Sequence, residues 1–375
     1  MFAGIGGFRS GLTRAGGFRC VGHCEIDKYA NASYQAIYEP GKEERYYPDA
    51  TQIDPADLPD FDLLCGGFPC QAFSQAGRRR GFADARGTLF FEIARLAQAK
   101  RPPYLLLENV PGLLSHDKGK TFSVILSALD DLGYHVEWTV LNSKCFGVPQ
   151  SRRRLFLIGY LDPRCAGKIL PVFGTDAKAL VQIVHGRLGK RVYDSAGIAC
   201  TQDTSRQSGL YFVDLTKGDP KITPNARCLH TRQDGSLTNF KGQNSGVLYI
   251  KEATKKGYKE AHEGDSIDLG FAGSNTRRGR VFAGVAHTVD TANTHGIVLR
   301  GGRVRRLMPR ECFRLQGFSE EQIDKILAIN SDAQAYKQAG NSVTVPVIKA
   351  IGRRIRAADA ELHDKEEGRD VCPTM

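Results

Sequence analysis

Apolar residues in this chain gather in short blocks with two different spacings. Residues 62–65, 104–107, 135–141 and 155–160 form apolar or β-prone runs of strand length, whereas 89–99 and 121–132 space their apolar positions as a helix does. Residues 10–15 read as a helix ending at Gly16-Gly17, and 18–24 as a strand that delivers Glu25 at its end. Strands with no polar face are covered on both sides. Their alternation with helices predicts an α/β fold, a doubly wound and mostly parallel sheet with helices on both faces.

The pattern changes over residues 171–300, where Gly, Thr, Asn, Asp, Arg and Lys dominate and helical spacing fades. Short β-prone runs such as 210–213 and 247–250 stand between turns, which predicts an irregular, β-rich inserted domain. Helical character returns over 301–357, with a helix in 303–315 and a loop and helix over 336–354; 358–375 is charged, without an apolar pattern, and reads as a frayed tail. The expected organisation is therefore a first domain over 1–170, an insertion over 171–300 and a return to the first domain over 301–357.

With 375 residues and 41% hydrophobic content the chain can bury a substantial core, and no apolar run reaches the length of a membrane span. The net charge of +11 suits a polyanionic partner. Ten cysteines are scattered through predicted strands and helices, which points to free thiols in a reducing, cytoplasmic setting rather than to a disulfide framework. Cys20, His23 and Cys24 are the one close Cys/His cluster; with no second pair at ligand spacing, no metal site is assigned.

Chemistry concentrates at predicted strand ends. Residues 62–65 lead into Gly66-Gly67, and Pro69 then stiffens the backbone ahead of Cys70, placing a thiol on an elbow at the carboxyl end of a strand. Glu108 and Asn109 close the run 104–107, and Phe2-Ala3-Gly4-Ile5-Gly6-Gly7-Phe8 forms a glycine-rich turn before the first helix. A sulfur nucleophile, an acid and a cofactor-type turn thus share one sheet edge. Glu25, an acid at the end of the next strand, is suited to ribose hydroxyls. The turn is G-x-G-G rather than G-x-G-x-x-G, which argues against a dinucleotide.

Six ordered blocks, FAGIGGF at 2–8, GFPCQAFS at 67–74, Glu108-Asn109-Val110, Gln150-Ser151-Arg152-Arg153-Arg154, RRLMPREC at 305–312 and QAGNSV at 338–343, resemble the DNA cytosine-5 methyltransferases of bacterial restriction–modification systems and phages. The resemblance implies S-adenosyl-L-methionine as cofactor, held by Phe2, Gly4, Gly6, Glu25 on the ribose, Asp49 near the adenine amino group, and Asn341-Ser342 closing the pocket from the C-terminal side. It implies double-stranded DNA as partner, target recognition by the insertion, a monomer, and a cognate restriction endonuclease as companion rather than subunit. Relatives carry an apolar strand immediately ahead of the FAGIGGF turn. Here Met1 stands directly against Phe2, which reads as a shortened start that leaves the sheet open.

The chemistry explains the residue types. C5 of cytosine becomes nucleophilic only after a thiolate adds to C6, the role assigned to Cys70. Glu108, raised in pKa by burial, would meet the charge developing at N3, while Asn109 holds the Pro-Cys loop and the base edge. The resemblance places Arg154 on the cytosine O2 and Arg152 on the phosphate of the flipped nucleotide. Base flipping is required because the ring cannot be reached inside a duplex. Gln71, Ser74, Arg78, Arg79 and Arg80 lie in the loop expected to close over DNA, with the target in a cleft between two lobes. A faint echo between 189–201 and 279–288 marks Arg191 and Arg280, either as paired backbone clamps or as a chance likeness of basic β segments. Rival readings are an RNA methyltransferase, a DNA-binding module without catalysis and a nicotinamide-dependent oxidoreductase.

Overall fold

The structure, a computed structural model, describes residues 1–68, 89–170, 172, 182–184, 192–193, 212–214, 221–223, 248–254, 257–269, 278–291, 294–299 and 304–367. They fall into two units, one drawn from 1–148, 153–177 and 316–375, the other from 149–152 and 178–315.

The first unit opens with helix α1 (Gly7–Ala15), strand β1 (Gly22–Cys24), helix α2 (Lys28–Tyr38) and strand β2 (Arg45–Tyr47). It continues through β3 (Leu63–Gly67), α3 (Leu89–Lys100), β4 (Tyr104–Asn109), α4 (Lys120–Asp131), β5 (His135–Asn142) and β6 (Arg153–Tyr160). One sheet has the order β3-β4-β6-β5 and a second, smaller one pairs β1 with β2. Alternation along β4 sends Leu105 and Leu107 into a core with Phe90, Ile93, Leu96, Ile125 and Leu129. Tyr104 and Leu106 go to the opposite core with Phe156, Ile158, Leu12, Ile348 and Ile351. The sheet is thus covered on both faces, as its unbroken apolar runs require.

Its strand directions correct the expectation of a mostly parallel sheet. β1 with β2 and β3 with β4 are parallel, but β4 with β6 and β5 with β6 are antiparallel. A parallel return needs a crossover of a dozen or more residues, generally a helix. Between β5 and β6 the chain has only a 3-10 turn at Ser143–Phe146 and the short excursion of 149–152 into the second unit, so β6 runs back beside β5.

Strands of the second unit are short: β7 (Gln182–Val184) with β8 (Val192–Tyr193), β9 (Phe212–Asp214) with β10 (Lys221–Thr223), and β11 (Leu248–Lys251) with β12 (Tyr258–Ala261), all antiparallel. A four-stranded antiparallel sheet joins β13 (Ser266–Asp268), β14 (Val281–Phe282), β15 (His295–Val298) and β16 (Val304–Arg306) in the order β14-β13-β15-β16. Ile250, Ala261, Ile267, Val281 and Val298 form its core. Helix α5 (Pro309–Gln316) follows, its first turn tied by Arg305, whose guanidinium donates to both oxygens of Glu311 at 2.7 and 2.6 Å.

The chain returns to the first unit through α6 (Glu320–Ile329), α7 (Asp332–Asn341) and α8 (Val345–Glu367). α8 packs along α1 so closely that a Cβ on Gly11 would lie 2.4 Å from the Ile348 Cβ. α8 also corrects the expectation of fraying from residue 358. It runs on through Glu367, with Ala358 and Leu362 buried one turn apart against the same core. Among the described residues no helix is long and apolar enough to cross a membrane.

Candidate active site

The glycine-rich turn and Glu25 form one hydrogen-bonded unit. β1 ends at Cys24, whose carbonyl accepts the Ala3 N–H at 2.8 Å, and this sets Glu25 beside the turn. Its carboxylate then accepts the Gly4 N–H on Oε2 at 2.7 Å and the Asp27 N–H on Oε1 at 2.8 Å. Each oxygen keeps lone-pair capacity for one further donor, which suits a vicinal diol. Phe2, Gly4 and Gly6 have φ of 52°, 55° and 81°, a region that strains the one residue of the three bearing a Cβ. A Cβ on Gly6 would meet the Tyr38 ring at 2.3 Å and one on Gly7 the Ser342 Oγ at 2.8 Å, whereas one on Gly4 would meet nothing within 4 Å. Gly4 therefore faces open space beside Glu25. Asp49 follows β2 and caps the turn Ala50–Gln52, accepting the Thr51 N–H at 2.9 Å. Asn341 is the exposed last residue of α7, and Ser342 is buried against Gly7.

The ends of β3, β4 and β6 carry the second constellation. Gly67 is in register with Glu108, and Arg154 projects from the start of β6. The Arg154 Nε lies 2.9 Å from the Glu108 Oε1, with the two side chains 19% and 13% exposed. Burial lowers the Arg154 pKa from its ordinary value, against the opposing charge of Glu108. A Cβ on Gly67 would come within 3.1 Å of the other carboxylate oxygen, so glycine there leaves Glu108 its room. Asn109 is buried and donates its side-chain N–H to the Phe68 carbonyl at 2.7 Å while its Oδ1 accepts the Val110 N–H at 2.8 Å. One amide thus fixes the backbone at the point where the chain leaves β3 toward Pro69 and Cys70.

Several expected site residues lie elsewhere. Cys70, Gln71, Ser74, Arg78, Arg79, Arg80 and Arg191 are outside the described residues. Arg152 belongs to the second unit, is 4% exposed and donates to the Val289 carbonyl at 3.1 Å. Beside it, Gln150 accepts the Val289 N–H at 3.0 Å and donates to the Leu315 carbonyl at 2.8 Å. Arg280 corrects the expectation of a DNA contact. It is 0% exposed, its Nε donates to the Asp268 carbonyl at 2.9 Å, and its backbone N–H reaches Glu252 at 2.9 Å. A guanidinium buried this way organises the small sheet rather than reaching a phosphate.

A network joining β1 and α2 through His23 and Tyr34 was not legible in the sequence. Glu44 accepts from Arg9 at 2.6 Å and from the Tyr34 hydroxyl at 2.7 Å, and lies 2.9 Å from His23, which is stacked on the Tyr34 ring. Burial would raise the Glu44 pKa, but the His23 and Tyr34 hydrogen bonds and the Arg9 charge outweigh it and hold the carboxyl below its usual range. Glu44 stands in the run Lys42-Glu43-Glu44-Arg45, which reads as a solvated loop.

Against this geometry, the family model described as C-5 cytosine-specific DNA methylase matches residues 1–357. The chain is 36% identical to the type II methyltransferase M.NlaX of Neisseria lactamica over 98% of both proteins. It is 34% identical to the type II methyltransferase M.HpaII of Haemophilus parainfluenzae over 97% of this chain and 90% of that protein. It is also 31% identical to the orphan methyltransferase M.SPRI of Bacillus phage SPR over 95% of this chain and 96% of that protein. Among solved structures, the S. pombe Dnmt2 methyltransferase superposes with a TM-score of 0.55 at 17% identity, covering 96% of this chain and 97% of that one. A putative DNA modification methyltransferase of an E. coli prophage gives 0.53 at 18% identity over 96% and 98%. Both structural likenesses carry the fold.

Proposed function

The chain belongs to the C-5 cytosine-specific DNA methylase family and is a DNA (cytosine-5-)-methyltransferase using S-adenosylmethionine, and on that premise we propose how its own residues divide the work. The glycine turn with Glu25 fits the cofactor. Gly4 leaves an open cradle, and the Glu25 oxygens, each already ordered by one backbone N–H, are set to receive the ribose diol. Asp49 and Asn341-Ser342 border the same turn in the proposal. When bound, S-adenosylmethionine supplies an electrophilic methyl group.

In this reading Cys70 adds as thiolate to C6 of a flipped cytosine, C5 becomes the nucleophile, and loss of the C5 proton later expels the thiol. Glu108 shares a proton with N3 as charge develops there, and Arg154 donates to O2. The single observation that carries the assignment is the Arg154–Glu108 pair at 2.9 Å, at the strand ends that lead to the Pro69-Cys70 loop. A cation and a carboxylate held side by side match the adjacent O2 acceptor and N3 of one pyrimidine edge. Asn109, through the Phe68 carbonyl, holds the loop that bears the nucleophile. Gln71, Ser74 and Arg78 to Arg80 close over the DNA in the proposal, whereas Arg152, buried and bonded to the Val289 carbonyl, braces the backbone of 149–152 instead of meeting the flipped nucleotide's phosphate.

We assign target recognition to residues 171–300, whose described strands are short and antiparallel and whose sequence is rich in Lys, Arg, Asn and Thr, side chains that suit base-edge and phosphate contacts. The proposed setting is cytoplasmic and the enzyme a monomer, acting beside a cognate endonuclease or as a protective phage enzyme. Bisulfite sequencing of DNA from a methylation-free host tests the whole. The chain should leave methylcytosine in one short context and Cys70→Ala none. An unmethylated genome from folded protein refutes the assignment.

A further inference from the structure

Gly6 is the left-handed residue at which the glycine-rich turn becomes α1, and its carbonyl is held from two sides. The Ser10 N–H donates to it at 2.9 Å as the first bond of the helix, and the Tyr38 hydroxyl donates to it at 2.6 Å from the end of α2. The Tyr38 ring lies against the turn, where a Cβ on Gly6 would stand 2.3 Å from it. The Arg9 guanidinium lies over the same ring, 4.3 Å from its centre, and is itself tied to Glu44 at 2.6 Å. The peptide so fixed joins Gly6 to Gly7, two residues without a Cβ, and has little restraint of its own. Next to it are the cofactor-facing groups. The Gly6 N–H bonds the Ala3 carbonyl at 2.8 Å, and between those two residues Gly4 donates to Glu25 at 2.7 Å.

The Tyr38 hydroxyl is the last link of a directed chain. Gln322 on α6 accepts on Oε1 from Arg14 at 2.9 Å and from the Ser319 N–H at 3.2 Å, which turns its amide N–H toward the Ser10 hydroxyl at 2.7 Å. The Tyr38 proton is committed to the Gly6 carbonyl, so in the 2.6 Å contact between the two hydroxyls Ser10 donates and Tyr38 accepts. Every bond runs one way, from α6 through α1 and α2 to the turn, and bonds in such a series strengthen one another. Ser10 stands four residues after Gly6, a spacing at which a helical serine bonds that carbonyl itself. Here Tyr38 takes that place. Burial pushes its pKa up to about 12, so the hydroxyl keeps its proton and remains a donor.

We propose that Tyr38 is a positioning residue for S-adenosylmethionine: through the Gly6 carbonyl it holds the glycine turn, and with it the Glu25 carboxylate, in the arrangement that receives the cofactor. The inference rests on the reading that the turn and Glu25 hold the cofactor. Tyr38 acts through the turn, and Ser10 and Gln322 order its hydroxyl for that task. Phenylalanine at position 38 keeps the ring against Gly6 and removes only the bond, which separates this role from packing.

The test measures S-adenosylmethionine and S-adenosylhomocysteine binding by calorimetry in the full chain, Tyr38→Phe, Ser10→Ala/Tyr38→Phe and Glu25→Gln, together with kcat at saturating cofactor. Tyr38→Phe should weaken both ligands by about three- to tenfold, the range of one hydrogen bond, with kcat at saturating cofactor and DNA affinity both within about twofold. The double variant denies the Gly6 carbonyl a substitute donor from Ser10 and should lose at least as much. Unchanged binding in both Tyr38 variants, with Glu25→Gln weakened, overturns the inference alone. Unchanged binding in Glu25→Gln as well removes the reading on which it rests. Equal falls in cofactor affinity, DNA affinity and kcat would make Tyr38 a support of the whole unit and likewise overturn the inference.

Discussion

The Arg154 Nε and the Glu108 Oε1 lie 2.9 Å apart, although the two residues come from different strands and both side chains are mostly buried. Each compensates the other, and a change at one leaves the other exposed electrically. Glu108→Gln should lower kcat by about 10² to 10⁴, the range of a lost general acid, with S-adenosylmethionine affinity retained. Arg154→Ala should give a loss of similar size. Because the residues share one interaction, the double variant should fall far short of the product of the single losses. Single-turnover methylation with each variant, alongside calorimetry for the cofactor, reads all of this.

Glu25 accepts one backbone N–H on each oxygen. Glu25→Gln turns one acceptor into an amide N–H aimed at another N–H donor, an unsatisfied contact of about 1–3 kcal/mol. Cofactor affinity should fall by about 10- to 100-fold, while DNA affinity measured without cofactor stays within about twofold. Equal loss of both would mean that Glu25 supports the unit as a whole.

Close approach of α1 and α8 depends on Gly11, where a Cβ would meet the Ile348 Cβ at 2.4 Å and the Val345 carbonyl at 2.9 Å. Gly11→Ala should cost about 1–3 kcal/mol by overpacking. Gly41→Ala, where nothing lies within 4 Å, should be near neutral. Urea unfolding of the two variants checks the contrast.

His287 is sensitive to acid. Burial, reinforced by the neighbouring His295, lowers its pKa from 6.5 to about 4. Between those values the unfolded chain binds the proton and the folded chain does not, so this contribution to stability is complete above pH 6.5 and is lost as pH falls toward 4. His287→Gln should flatten the pH dependence of urea midpoints within that window and leave values above it shifted by a constant.

Legibility in the sequence followed burial. β4 could be read because Leu105 to Leu107 form an unbroken apolar run, and the same run located Glu108 and Asn109, which are still within the strand. The reversal of β6 could not, since the residues of a strand buried on both faces do not encode its direction. α2 escaped notice because two of its four buried positions are Ser33 and Tyr34. The continuation of α8 was present in the spacing of Ala358 and Leu362 but masked by the charges around them. Arg280 and Glu44 mark the general limit. A charged side chain reads as solvated until its partners, here the Asp268 carbonyl and the Arg9–His23–Tyr34 group, are brought to it by the fold.

The central claim, covalent attack by Cys70 on the cytosine ring, is tested most directly by trapping. A duplex carrying 5-fluorocytosine at the methylated position, incubated with the enzyme and S-adenosylmethionine, has no C5 proton to lose and should arrest at the thiol adduct. The account predicts a denaturant-stable complex whose mass maps to the peptide containing Cys70, absent from Cys70→Ala. Active methylation of the normal duplex without any trapped complex, or an adduct on another cysteine such as Cys65, would contradict it.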